Sequence, residues 1–154
     1  MIADNDFNII YANKSLSSLM SSAQKDLAQT IPNFDASKII GMSMHKFHRQ
    51  PEHQKRSIAA LNQTLNTEFK VNQRTFSIVA NPITNTQGER LGTVVEWLDR
   101  TNEVEIEQEI DQIITSAAHG DFSQSINLDG KKGFFKVVSE GLNRLTSTTN
   151  IALE

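Results

Sequence analysis

LGTVVEWLDRT, residues 91–101, is the stretch on which the fold turns. Val95 and Trp97 stand two apart, so alternation puts both on one face of a strand. The strand breaks off at Asp99-Arg100-Thr101. From Glu103 onward the apolar residues recur three and four apart instead. A segment of period two thus hands over to a helical one at a short polar triplet.

Two more strands precede this one. Thr67–Val71 and Thr75–Ala80 flank the tight-turn pair Asn72-Gln73, and a loop with Gln87-Gly88 leads to Leu91–Leu98. Phe76, Ile78 and Ala80 share one face by alternation. At the N-terminus, MIAD (1–4) and FNIIY (7–11) are β-prone runs around Asn5-Asp6, a second hairpin signal. Between the hairpins the period is helical. NKSLSSLMSSAQKDL (13–27) aligns Leu16, Leu19 and Met20, with Asn13 placed to cap. Residues 34–41 read as a short helix stopped by Gly41. Pro51 suits the first turn of a helix expected to reach about Leu65, with Ile58, Leu61 and Leu65 on one face. The order β-β-α-α-α-β-β-β predicts an α+β domain, its antiparallel sheet covered on one face by helices.

Past Glu103, Val104, Ile106, Ile110, Ile113, Ile114 and Ala117 form a helical stripe, followed by a connector, His119–Gly133. A second amphipathic helix carries Phe134, Phe135, Val138, Leu142 and Leu145. Neither helix buries its stripe alone, so each needs the other or a second copy of the chain. The start inside an apolar run and the terminal Leu153-Glu154, which reads as a tag remnant, suggest a fragment of a longer protein.

With net charge −3 and pI near 5.8, the 154-residue chain is a poor match for nucleic acid, where affinity rests on phosphate neutralisation. The lack of cysteine removes disulfides, thiolate catalysis, Cys-ligated zinc and iron–sulfur clusters. It fits a reducing cytoplasm. No apolar run approaches the roughly 20 residues that span a bilayer. There is no Gly-rich phosphate loop and no Ser with a plausible His–Asp relay, so an enzyme is not expected.

Three of the four histidines, His45, His48 and His53, fall in MHKFHRQPEHQKR (44–56). Read alone, they could be metal ligands, a basic patch or solvated loop residues. His53 stands five residues after His48, so the two do not share a helical face. Zinc held by the trio is disfavoured, and His45 is expected to face solvent.

The element order, with IADNDFNIIYAN at the first hairpin, IIGMSM in mid-sequence and GTVVEWLDRT at the end, resembles a PAS domain over residues 1–101. Asp99-Arg100-Thr101 resembles the Asp-x-Thr motif that joins such domains to an output helix. FHRQPEHQ and VANPITNTQGERLGTVVEWLDRT are most similar to the haem-binding PAS domains of soluble, aerotaxis-type chemoreceptors. Residues 102–154, with AAHGDFSQSINLDGKKGFF as connector, resemble a HAMP-type two-helix module of a methyl-accepting chemotaxis protein.

The resemblance implies haem b as cofactor, with His48 as axial ligand and His53 as its alternative. Trp97, the only tryptophan, would hydrogen-bond bound oxygen or another diatomic gas (CO, NO). Ile78 and Val95 would line the pocket from the sheet and Leu61 from the helix. Arg49, Lys55 and Arg56 are candidate propionate partners or a solvated face. The implied protein is a cytoplasmic gas sensor, homodimeric through its C-terminal helices, signalling to a downstream chemoreceptor domain and kinase complex. A cofactor-free relay module, or a PAS domain holding a carboxylate or flavin, is the alternative.

Overall fold

The computed structural model describes residues 1–47 and 63–153. Contacts divide the chain into two compact units, Met1–Thr101 and Asn102–Glu154. The first is built on a five-stranded antiparallel sheet: β1 (Ile2–Ala3), β2 (Ile9–Tyr11), β3 (Leu65–Val71), β4 (Arg74–Thr84) and β5 (Arg90–Asp99), in spatial order β2-β1-β5-β4-β3. Both chain-end hairpins pair antiparallel, and β1 joins them by pairing with β5.

The β3–β4 hairpin closes on Asn72-Gln73, Val71 pairing with Arg74. Asn72 takes a left-handed φ of 54°, which its short polar side chain tolerates. The first hairpin is wider than the Asn5-Asp6 pair predicts. Its loop runs from Asp4 to Asn8, where the Asp4 N–H donates to the Asn8 carbonyl (3.0 Å) and Asp4 Oδ1 accepts from the Asn8 N–H (2.8 Å).

Helices α1 (Lys14–Ser22) and α2 (Gln24–Thr30) cover the sheet where one continuous helix was expected. Asn13 caps α1 as predicted, its Oδ1 accepting from the Leu16 N–H at 2.9 Å. The chain leaves helical geometry at Ala23 (φ −92°, ψ 3°). Gln24 then grips the next loop, donating to the Phe34 carbonyl (2.8 Å) and accepting from the Ala36 N–H (2.7 Å). Leu16, Met20, Ala23 and Leu27 pack in one core with Val71 and Phe76 of the sheet. A second core joins Phe7, Ile9, Met44, Ile78, Ala80 and Val95.

The short helix expected at 34–41 is one 3-10 turn, Ala36–Lys38, capped by Asp35, and another such turn spans Met44–Phe47. Most of the helix expected from Pro51 lies outside the described residues. Its predicted end at Leu65 does not hold, because Leu65 pairs with Ala80 as the first residue of β3.

The second unit holds α3 (Thr101–Ala118) from its second residue onward and α4 (Gly133–Leu153), with an irregular connector between them. Ile106, Ile113 and connector residue Ile126 are buried. On α4 the stripe differs from the expected one: Phe134 is 74% and Leu145 62% exposed, whereas Ser139 and Thr146 are buried. Asn143, on the same helical face as these two, clamps the connector: its Oδ1 accepts from the Ile126 N–H (2.8 Å) and its Nδ2 donates to the Ile126 carbonyl (2.9 Å). A connector lying on that face leaves room only for small side chains. Lys131, itself buried, pairs with Glu109 at 2.7 Å.

At Gly92 the backbone of β5 runs tight against the end of β1. A Cβ there would stand 2.3 Å from the Ala3 carbonyl oxygen, a backbone atom with no rotamer to yield. Gly92→Ala is therefore expected to destabilise the first unit by about 1–3 kcal/mol. Urea denaturation checks this; an unchanged midpoint would show that β1 can move away freely.

Candidate functional site

Antiparallel register brings three of the residues singled out in the sequence onto one buried face. Ile78 of β4 pairs directly with Trp97 of β5, and Ala80 with Val95. Ile78 and Val95 are buried and Trp97 is partly buried. His48, His53, Leu61, Arg49, Lys55 and Arg56 lie outside the described residues.

Trp97 stands where the two cores meet and packs against both. Three phenylalanine rings surround its indole: Phe47 at 5.1 Å, Phe69 at 5.6 Å and Phe76 at 5.8 Å between centroids, all edge-on. Each such pair contributes about 0.5–1.5 kcal/mol beyond the area it buries. Phe69 reaches the indole because it pairs with Phe76 across the hairpin, and Phe47 comes from the 3-10 turn just before His48. Sequence reasoning passed over both. Alternation from Val71 would have pointed Phe69 inward.

Within this aromatic box the Trp97 Nε1–H is buried and has no hydrogen-bond acceptor among the described residues. A dry, unsatisfied donor costs about 1–3 kcal/mol, so proteins rarely keep one without a use. His45 differs from expectation. Its ring lies 4.5 Å from that of Phe7, with both ring nitrogens shielded from solvent, because the Met44–Phe47 turn folds over the first hairpin. His119 is exposed, and its Nδ1 stands 2.7 Å from the Thr115 carbonyl.

Where β5 ends, Asp99 is tied on both carboxylate oxygens. Oδ1 accepts from the Thr101 N–H (3.0 Å) and the Thr101 hydroxyl, and Oδ2 takes Arg74 Nη1 at 2.7 Å. Thr101 Oγ1 in turn accepts from the Thr75 N–H (3.1 Å), and the Arg100 N–H donates to the Thr75 carbonyl (2.8 Å). Arg100 also pairs with Glu68 of β3 at 3.1 Å. All three junction residues are thus bonded to the β3–β4 hairpin or to a partner that is. Arg74, on one planar fork, further binds Asp26 Oδ2 (2.8 Å) and the Ser22 carbonyl (2.9 Å).

Burial alone would push the Asp99 carboxyl up. The Thr101 side-chain and backbone bonds and then the Arg74 guanidinium outweigh it and hold the group below the ordinary value of 3.8. A carboxylate depressed on folding adds stability that is present above its unfolded value and lost as pH falls through the folded one. The stability gap between wild type and Asp99→Asn should therefore be largest near neutrality and shrink below about pH 4. Denaturation midpoints measured across pH check this; a gap that does not change with pH would mean the bonds are not charge-assisted.

No protein-family profile matches the chain. The methyl-accepting chemotaxis protein McpB of Pseudomonas aeruginosa is 41% identical over 153 residues, or 99% of this chain and 22% of that protein. The chain therefore spans about a fifth of the length of that relative. Among solved structures, the Aer2 receptor of Vibrio cholerae, a dual PAS-haem oxygen sensor, superposes with a TM-score of 0.59 at 29% identity. That match covers 64% of this chain and 90% of the other. The sensor region of a sensor histidine kinase superposes at 0.50 with 17% identity, covering 68% of this chain and 40% of the other, a likeness of fold alone. The five-stranded antiparallel sheet with its helices is a PAS fold.

Proposed function

We propose that Met1–Thr101, a PAS domain related to chemoreceptors, is a haem-binding gas sensor. The observation that carries this reading is the buried Trp97 Nε1–H, without an acceptor among the described residues, beside Ile78 and Val95 on the sheet's inner face. Such a donor fits a small, partly anionic acceptor that enters the site with a cofactor. Likeness to a PAS-haem oxygen sensor supports the same choice. His48, in the segment after Phe47, is the residue that would hold the haem iron, with His53 as the alternative and Leu61 as a further lining residue. Neutral imidazole is the strong haem ligand open to a chain without cysteine.

Haem, when bound, supplies an iron centre for a diatomic gas, O₂ foremost. The residues of the chain do the rest. The aromatic rings and Ile78 exclude water, and Trp97 turns its Nε1–H toward the ligand. Because Trp97 lies two residues before Asp99, its reorientation strains β5 at the junction bonds. A signal then passes to α3 if the ligand favours one arrangement of Asp99-Arg100-Thr101.

The second unit is proposed as a HAMP-like relay. It would pair in a homodimer through faces that leave Val137, Leu145 and Ile151 exposed, and would act on a downstream signalling domain and kinase complex in the cytoplasm.

The test is the absorption spectrum of the purified protein supplemented with haem. A Soret band is expected, lost in His48→Ala. Trp97→Phe is expected to keep the band and bind O₂ about tenfold more weakly, the equivalent of one lost hydrogen bond. A colourless wild-type protein would overturn the reading. It would favour the cofactor-free relay instead, to which the rings of Phe47, Phe69 and Phe76 packed on Trp97 would then belong.

A further inference from the structure

We infer that Asp26 is a positioning residue for the Asp99–Thr101 junction. Through the guanidinium it shares with Asp99, helix α2 holds the junction in its present arrangement and gives the sensor a second route to its output. This rests on the reading that the junction is where the signal leaves the first unit.

Arg74 divides its donors among three elements: Nε to Asp26 on α2, Nη2 to the carbonyl of Ser22 at the end of α1, and Nη1 to Asp99 at the end of β5. The guanidinium is planar, so these directions are coupled, and moving one acceptor tilts the fork away from the others. Asp26 is also reached from the hairpin turn. Asn72 Nδ2 donates to its carbonyl at 3.3 Å and to Gln29 Oε1 at 3.0 Å, so the turn that carries Arg74 is seated on α2.

On its inner side α2 buries Leu27 in the core that contains Val71 and Phe76, against which Trp97 packs. Leu27 is the neighbour of Asp26. A shift of the indole can therefore reach Asp99 from two directions: along β5, and across the core through Leu27, Asp26 and Arg74. Asp99 can respond because its two oxygens serve opposite sides. With the Arg74 side released, the carboxylate is free to rotate and to let Thr101 go.

Three backbone amides report on this directly, those of Thr75, Arg100 and Thr101, each bonded within the junction. Their hydrogen exchange is to be measured in the ligand-free full chain. Asp26→Asn is expected to speed all three by about tenfold, the scale of one charge-assisted bond, and to leave the amides of Ile78 and Val95 unchanged. In an Arg74→Gln background the same substitution should add nothing, since the two act as one unit. Asp26→Glu, still charged and one methylene longer, should keep most of the protection; if Asp26→Asn does not fold, Asp26→Ser takes its place in the test, with the same acceleration expected.

Unchanged exchange at the three amides would overturn the inference. So would equal acceleration at Ile78 and Val95, the mark of a merely structural role. The measurement needs no cofactor, so absence of a Soret band would sink the sensor reading without touching this result. Loss of the Asp26 effect would leave haem binding standing.

Discussion

The first unit depends on the register between β4 and β5. Pairing runs from Phe76 opposite Asp99 to Thr84 opposite Arg90, with one irregularity near the loop. Side chains alternate with a period of two, so a slip of one residue would put Trp97 and Val95 on the face opposite to Ile78. It would also part Asp99 from Arg74, which leads β4 out of the hairpin turn. One pairing therefore places both the indole and the bonds of Asp99–Thr101.

Around that pairing the unit carries two kinds of tension. In the core, aromatic packing is dense, yet one donor, the Trp97 Nε1–H, has no partner among the described residues. At the end of β5 the reverse holds, and each oxygen of Asp99 is engaged. An unsatisfied group at one point and a saturated network two residues away suit a sensor: the first gains when a ligand arrives, and the second resists until it does. The relation to a chemoreceptor and the likeness to a PAS-haem oxygen sensor fit that arrangement.

What could be read in the sequence was periodic or local. Alternation in Phe76–Ala80 and Val95–Trp97 gave the inner face, Asn72-Gln73 the hairpin, and Asn13 the cap. What escaped was set by distant partners. Nothing in KVNQRTF marks Arg74 as a hub, because its acceptors come from residues 22, 26 and 99. The break at Ala23 follows from Gln24 bonding across to Phe34 and Ala36, which no helical period reveals. The small polar stripe Ser139–Thr146 is buried because a connector lies on it, against the residues' own hydropathy. The segment that holds His48, His53 and Leu61, read from motif resemblance, lies outside the described residues.

The central claim is that the Trp97 Nε1–H is the donor kept for a gaseous ligand. As the only tryptophan, it contributes one indole ¹H–¹⁵N resonance. In the haem-loaded, reduced chain, that resonance recorded under O₂ should lie downfield of its position under CO, the weaker acceptor. An indole resonance at the same position under both gases would contradict the account.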